Sequence, residues 1–212
     1  MLVEIFADTS CPWCFIGKRR FERALEMRSL ANVDVIYLPY QLYPQLPSEG
    51  VQRKILMRKK FGEDERVRRL EKRLSGIGRE EQIEFNFDSI SIVPNTVNSH
   101  TLIEFGKINK PTTDLLGLIF SAYFSEGRDI GDITTLIDLG TSAGLDRDEL
   151  TKFMNSESAQ KTIVGHEDYS RRIGVKSVPW FVIDQKYAIS GAQAPEVFLQ
   201  IFDLVQQDNL GS

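Results

Sequence analysis

The spacing of apolar and polar residues predicts an α/β arrangement at the start of the chain. Residues 2–7 form a short apolar run, residues 14–31 place apolar residues at helical intervals, and residues 33–40 are rich in β-branched and aromatic residues. These patterns are typical of a strand, an amphipathic helix and a second strand. Because the crossover in such a unit is right-handed and returns to the same sheet, we expect the two strands to be parallel.

Helical periodicity then continues from about residue 50 to residue 173. Glycine, proline or Asn-Ser breaks separate the segments, and we predict helices over residues 51–60, 63–76, 95–108, 112–126, 132–143, 147–154 and 157–173. Asp132 and Asp146 precede two of these segments and are suited to cap their first turns. Residues 85–90 lack this period and predict an extended connection.

Strand character returns near the end of the chain. Residues 178–184 and 187–190 predict an antiparallel hairpin, and Pro195 begins a final amphipathic helix. The order of elements matches an α/β protein with a thioredoxin fold and a large inserted all-helical domain. We therefore predict that residues 1–45 and 174–212 form the thioredoxin-fold domain and that residues 46–173 form the insertion.

Both cysteines of the chain lie between the first predicted strand and the first helix, in the motif Cys11-Pro12-Trp13-Cys14. The first N–H groups of a helix lack partners and the helix dipole adds partial positive charge, so a thiolate at Cys11 is stabilised. Cys14, one turn later, is placed to attack a mixed disulfide on Cys11. Pro12 suits the first helical turn, and Trp13 offers a platform for a substrate.

Three other uses of this cysteine pair compete with thiol–disulfide exchange. A structural disulfide across four residues would remove little chain entropy. A zinc site needs two more ligands, and the spacing of His100 and His166 fits no finger or ribbon pattern. The third use is two ordinary buried thiols. We favour redox chemistry, with no resident metal or cofactor.

Composition and charge exclude several classes of partner. Of the 212 residues, 42% are hydrophobic and 26% charged, which is typical of a globular protein, and the net charge of −4 argues against nucleic acid. We see no secretory leader and no apolar run long enough to span a membrane, so we expect a cytoplasmic protein without a membrane partner. The sequence does not indicate the oligomeric state.

A basic segment stands out against this acidic background. Residues 53–73 carry most of the lysines and arginines of the helical middle. The functional interpretation is a patch for acidic partners or anionic ligands, and the simpler one is the solvated face of two surface helices. We expect the simpler one.

The string Ser177-Val178-Pro179 is the second informative motif. A proline is tolerated at the start of a strand. In a thioredoxin fold this proline is typically cis and lies against the cysteine pair, so we predict a cis Val178–Pro179 bond. The backbone of Val178 would then face Cys11, where an extended substrate can pair with it as an added strand.

Together these motifs resemble the FrnE-like branch of the DsbA family. The resemblance covers essentially the full length and rests on residues 11–22, Asn95-Thr96, His100, residues 174–183 and residues 190–193. It implies a protein thiol–disulfide oxidoreductase or isomerase that acts on disulfide or dithiol proteins. Carried onto this chain, Cys11 is the attacking thiol, Cys14 the resolving thiol and Pro179 the cis-proline.

The resemblance also gives His100 two possible roles. It places this residue on an insertion helix over the cleft, where it influences the Cys11 thiolate or contacts glutathione as a redox partner. The alternative is a helix histidine paired with a neighbouring carboxylate. His166 is expected to be an incidental surface residue.

The chain departs from the family pattern in two ways. Certain FrnE-like proteins carry a second cysteine pair, which this chain lacks. Many thioredoxin-fold enzymes place a buried carboxylate six residues before the first cysteine, where this chain has Ile5. The adjacent Glu4 is expected to face the other side of the strand. The sequence therefore shows no acceptor for the Cys14 proton.

Relatives of this branch suggest an alternative function. The 2-hydroxychromene-2-carboxylate isomerases and kappa-class glutathione transferases resemble this architecture, bind glutathione and generally have serine at the Cys11 position. A glutathione-dependent isomerase or transferase is therefore the second hypothesis, although the two cysteines of this chain argue against it. A non-catalytic binding module is the third.

Overall fold

The computed structural model describes residues 1–28, 33–111, 114–156, 163, 165, 169–170 and 172–210. The strands are β1 (Leu2–Ala7), β2 (Asp34–Pro39), β3 (Val51–Gln52), β4 (Ile92–Val93), β5 (Trp180–Ile183) and β6 (Tyr187–Ser190). The described helices are α1 (Pro12–Arg28), α2 (Arg53–Phe61), α3 (Asp64–Glu80), α4 (Val97–Asn109), α5 (Leu115–Phe124), α6 (Ile133–Ser142), α7 (Arg147–Met154) and α8 (Pro195–Leu210). None of these helices is long and apolar enough to cross a lipid bilayer.

The central sheet has the strand order β2-β1-β5-β6. β1 runs parallel to β2 and antiparallel to β5, and β5 forms an antiparallel hairpin with β6. The predicted parallel pair and the predicted hairpin are both confirmed. The thioredoxin-like α/β fold places the C-terminal end of β1, and the turn that follows it, beside the start of β5.

The predicted helices of the middle segment agree with the structure to within a few residues at most ends. Asp132 and Asp146 cap α6 and α7 as expected, since their carboxylates accept hydrogen bonds from the N–H groups of Thr135 and Glu149. The helix predicted over residues 157–173 lies largely outside the described residues. The division into two domains stays a prediction.

Two local features of the middle segment differ from expectation. β3, which the sequence assigned to a helix, pairs with β4, and the N–H of Arg53 donates to the carbonyl of Ser91 at 2.8 Å. The expected extended connection contains a short 3-10 turn at Phe87–Ser89. β3 forms through a tertiary contact, because the backbone of residues 51–52 pairs with a strand about forty residues later in the chain.

The two faces of the sheet bury separate hydrophobic cores. Because side chains alternate along a strand, Phe6 points into the first core, whereas Val3 and Ile5 point into the second. The first core also contains Cys11, Cys14 and much of α4–α7. The second core joins the sheet and α1 to α8, with Phe21, Phe181, Phe198 and Phe202 at its centre.

Ion pairs join α1 to the middle segment. Lys18, only 3% exposed, pairs with Glu22 on its own helix and with Asp114 at the start of α5. Buried Glu81, just after α3, accepts hydrogen bonds from Arg20 at 2.8 Å and Arg23 at 2.6 Å. Burial opposes ionisation of Glu81, but the two arginines hold its pKa below the usual value. These contacts fix the helix that carries the cysteine pair.

Candidate active site

The cysteine pair lies where β1 turns into α1. The N–H of Cys11 donates to the carbonyl of Asp8, and the N–H of Cys14 donates to the carbonyl of Cys11, both at 3.0 Å. Pro12 is the first helical residue, so α1 begins two residues earlier than predicted, inside the motif. The structure thus places Cys11 directly at the N-terminus of α1, the positive end of the helix dipole.

Both cysteines are free thiols and both are buried. Cys11 is only 4% exposed, less than expected for a residue at the helix edge. It is nevertheless reachable, because it borders a cavity of about 140 Å³ together with Ser10, Pro12 and Trp13. Trp13 is half-buried and packs against the first core.

Val178 and Pro179 approach the cysteines from the start of β5. The Val178–Pro179 peptide bond is cis, as predicted. The carbonyl oxygen of Val178 lies 4.0 Å from Cys11 Sγ. Pro179 packs against α1 at Gly17, where an added Cβ would come within 2.7 Å of the proline ring. Glycine at this position of α1 therefore permits the close approach.

The two thiols have different environments. Burial, followed by the hydrogen bond and negative charge of Cys11, raises the pKa of the Cys14 thiol well above its usual value. The N–H of Asp8 points at Cys14 Sγ at 3.5 Å and partly opposes this shift. Cys14 is therefore held as a neutral thiol beneath Cys11.

Asp8 is a buried carboxylate that the sequence reasoning missed. It is 1% exposed, and it accepts hydrogen bonds from the N–H of Leu42 at 2.6 Å and from the N–H and hydroxyl of Ser10 at 2.8 and 3.0 Å. Burial raises its pKa despite these bonds, and its charge contributes to the raised pKa of Cys14. The hydrogen bonds from Ser10 form a turn that begins at Asp8. An aspartate after a strand with a serine two residues later is the sequence pattern that predicts such a turn.

The cavity beside Cys11 is mostly apolar. It extends from the cysteine turn to the inner sides of α2 and α3, and Met57, Phe61 and Leu74 are among its lining residues. Two cations reach it. Arg53 pairs with Glu71 at 2.6 Å, and Lys60 donates a hydrogen bond to the Tyr43 hydroxyl at 2.6 Å. We call this space the Cys11 cavity.

His100 does not line the Cys11 cavity. It is buried beside Ala7, Tyr37 and Leu116 around a much smaller space, and its side chain is hydrogen-bonded to the backbone of Tyr40. Burial lowers its pKa to about 3, so the imidazole is uncharged at neutral pH. This position gives no support to a charge effect of His100 on Cys11. His166 lies outside the described residues.

Within the described part of the chain, no group of three or more histidine, cysteine, aspartate or glutamate side chains is arranged to hold a metal ion. The structure thus brings together Cys11, Cys14, Val178, Pro179, Pro12 and Trp13 of the predicted site. It adds Asp8 and the walls of the Cys11 cavity. Reactive sulfur, an adjacent backbone carbonyl and an apolar cavity suit exchange with a disulfide.

Comparisons with known proteins agree with this geometry. The family model for the DSBA-like thioredoxin domain matches residues 2–203. A probable DsbA oxidoreductase of Streptomyces coelicolor, SCO1869, has a solved structure with a TM-score of 0.86, 29% identity, and coverage of 95% of this chain and 88% of that chain. The uncharacterized protein YwbO of Bacillus subtilis is 26% identical over 92% of each chain. The cytosolic disulfide reductase DsbM of Pseudomonas aeruginosa, solved with GSH, shares the fold, with a TM-score of 0.66, 15% identity, and coverage of 98% of this chain and all of that chain.

Proposed function

This chain belongs to the DSBA-like thioredoxin domain family of thiol–disulfide oxidoreductases, and we propose that Cys11 and Cys14 are its redox pair. In this proposal Cys11 is the attacking thiol, Cys14 resolves the mixed disulfide, and Pro179 shapes the substrate side of the site. The substrates are disulfide or dithiol proteins, with glutathione as a further redox partner. The FrnE-like assignment and the cytoplasmic location remain predictions.

The first step is attack by Cys11. Its thiolate forms a bond to one sulfur of the substrate disulfide, and the other substrate sulfur leaves as a thiolate. In this proposal the substrate backbone pairs with Val178; the supporting observation is that the Val178 carbonyl lies 4.0 Å from Cys11 Sγ. Trp13 and the Cys11 cavity accommodate the groups next to the substrate sulfur.

The second step is resolution by Cys14. Burial is the largest cause of the raised pKa of Cys14, and the hydrogen bond and negative charge of Cys11 come next. A mixed disulfide removes the thiolate of Cys11, so the Cys14 thiol then loses its proton more easily. Cys14 attacks Cys11 Sγ, and the second substrate sulfur leaves. The protein dithiol gives up two electrons and two protons, and the substrate becomes a dithiol.

One observation carries this proposal. Cys11 directly precedes α1 and Cys14 lies in its first turn, yet Cys11 borders the cavity while Cys14 is a buried thiol of raised pKa. Two thiols with a purely structural role do not require different environments. Exchange does, because one thiol must be accessible to attack the substrate and the other must wait as a protonated thiol until the mixed disulfide forms.

The test is a redox titration followed by trapping. The protein is equilibrated in graded buffers of reduced and oxidised glutathione, and the state of the pair is measured by Trp13 fluorescence and thiol alkylation. We expect a reversible two-electron couple. A potential of about −270 mV indicates a reductant and one of about −120 mV an oxidant.

Two variants give the controls. Cys14→Ser should accumulate a mixed disulfide on Cys11, detected by mass, and Cys11→Ser should accumulate none. If neither a couple nor a mixed disulfide forms while glutathione still binds, the redox proposal is wrong. The glutathione-dependent isomerase or transferase would then replace it.

A further inference from the structure

Charge is distributed unevenly along the chain, and its basic part forms one wall of the Cys11 cavity. Residues 53–73 carry ten basic and four acidic side chains, a net charge of +6. Because the whole chain carries −4, all other residues together carry −10. This segment comprises α2 and most of α3, and both helices line the cavity. We call it the basic wall.

Among the described residues no carboxylate pairs with Lys60, which therefore brings an uncompensated positive charge to the cavity. The other cation of the lining, Arg53, is paired with the Glu71 carboxylate. The Lys60 ammonium instead donates to the hydroxyl of Tyr43 and lies 4.6 Å from the centre of that ring. A hydroxyl and an aromatic face hold the ammonium in place without cancelling its charge.

The rest of the cavity suits a short apolar group. Its volume of about 140 Å³ is similar to that of a cavity that holds one benzene-sized molecule. Met57 and Phe61 of α2 lie on the same side as Lys60, and Cys11 and Trp13 form another part of the lining. A ligand in this space therefore meets a reactive sulfur, apolar walls and a cation.

Resting on the function proposed above, we propose that the site accepts low-molecular-weight disulfides in addition to proteins, and that among these small compounds it prefers those in which a short apolar segment joins the sulfur to a carboxylate. The apolar segment occupies the cavity, and the carboxylate pairs with Lys60. The remaining charge of the basic wall attracts such anions to the site. Cys11 forms a bond to one substrate sulfur, Cys14 completes its own disulfide, and two carboxylate-bearing thiols leave with the two electrons and two protons of the protein dithiol.

The experiment measures single-turnover oxidation of the reduced protein by three short disulfides of different charge. Dithiodipropionate carries two carboxylates, hydroxyethyl disulfide is neutral, and cystamine carries two ammonium groups. The proteins are the wild type, Lys60→Gln, Lys60→Arg and, as a control on the exposed surface of α7, Lys152→Gln. Comparing each variant with the wild type for the same compound cancels the intrinsic reactivity of that compound.

We expect Lys60→Gln to slow the reaction with dithiodipropionate roughly fivefold, the effect of one unit charge a few ångströms away in water. The neutral compound should change by less than about twofold, and cystamine should react faster. Lys60→Arg should keep the wild-type preference, Lys152→Gln should change nothing, and added salt should weaken the preference.

Equal effects of Lys60→Gln on all three compounds would overturn the proposal, as would a loss of charge preference in Lys152→Gln as large as that in Lys60→Gln. These results differ from a failure of the proposed function. If the reduced wild-type protein reacts with none of the three disulfides and also forms no reversible couple with glutathione, the exchange chemistry itself is wrong. If the couple forms but the protein reacts with none of the three, or with all three regardless of charge, only the proposal on small disulfides is wrong.

Discussion

The two hydrophobic cores use similar side chains for different purposes. The second core, between the sheet and α8, brings Phe21, Phe181, Phe198 and Phe202 into mutual ring contacts, all of them fully buried. The first core also stacks aromatic rings, such as Phe15 on Phe120 at 5.0 Å. Unlike the second, it contains both thiols and buries Asp8 and His100 among its neighbours.

This difference separates stability from chemistry. A core of interlocked apolar rings is stabilised by burial and close packing. Buried polar groups reduce the free energy gained by burial unless they are hydrogen-bonded. The first core holds several such groups next to a cavity. Substitutions in the second core should therefore change stability alone, and those around the first should change the redox chemistry as well.

The largest effect on stability is expected for Phe198→Ala in the second core. Phe198 lies 4.9 Å from the Phe181 ring and 5.6 Å from the Phe21 ring. Truncation should cost about 3–5 kcal/mol of unfolding free energy, measured with urea. The control is Leu204→Ala on the same helix, because Leu204 is 42% exposed and should cost far less. A changed redox potential in folded Phe198→Ala would contradict the separation of the two cores.

His100 should make the first core sensitive to acid. Its pKa is about 3 in the folded protein and about 6.5 in an unfolded chain. Because the folded state disfavours the proton, stability is lost as pH falls from about 6.5 toward 3, by at most about 1.4 kcal/mol per pH unit. Urea unfolding of the wild type and His100→Gln at several pH values tests this. Parallel pH curves for the two proteins would contradict it.

Asp8→Asn should affect both stability and the resolving thiol. An amide cannot accept all the hydrogen bonds that Ser10 and Leu42 give to the carboxylate, so we expect a loss of about 1–3 kcal/mol. Removal of the negative charge should lower the pKa of Cys14, measured by thiolate absorbance in the Cys11→Ser background. Asp88→Asn, at an exposed site, is the control. An unchanged Cys14 titration would rule out the electrostatic role of Asp8.

Gly17→Ala is expected to have the smallest effect on stability and a clear effect on exchange. Alanine favours the helix by up to about 1 kcal/mol, but its Cβ would come within 2.7 Å of the Pro179 ring. The rigid ring must shift, and this overpacking is partly offset by the helix gain, so we expect slower mixed-disulfide formation with a net loss of unfolding free energy of at most about 2 kcal/mol. Gly76→Ala in α3, where an added Cβ would meet no described atom within 4 Å beyond its chain neighbours and the backbone of its own helix, should only stabilise the protein. Wild-type exchange by Gly17→Ala would show that the contact is unimportant.

Much of the fold followed from the sequence because its patterns are local. Period-two and helical spacing predicted the strands of the central sheet and most helices, and Asp132 and Asp146 predicted two caps. The Cys11–Cys14 motif and the Val178-Pro179 string lie far apart in the chain. Their contact could be predicted only because a thioredoxin fold places the proline at the start of this strand against the cysteine pair.

The tertiary structure decided the features that depend on distant partners. β3 formed because residues 51–52 met β4, and the Cys11 cavity exists because α2 and α3 pack opposite the cysteine turn. Asp8 is buried because the loop after β2 covers it and donates the N–H of Leu42. His100 is neutral because its surroundings exclude water. Local patterns determine which elements form, whereas burial and the charge states that follow from it depend on contacts between segments far apart in sequence.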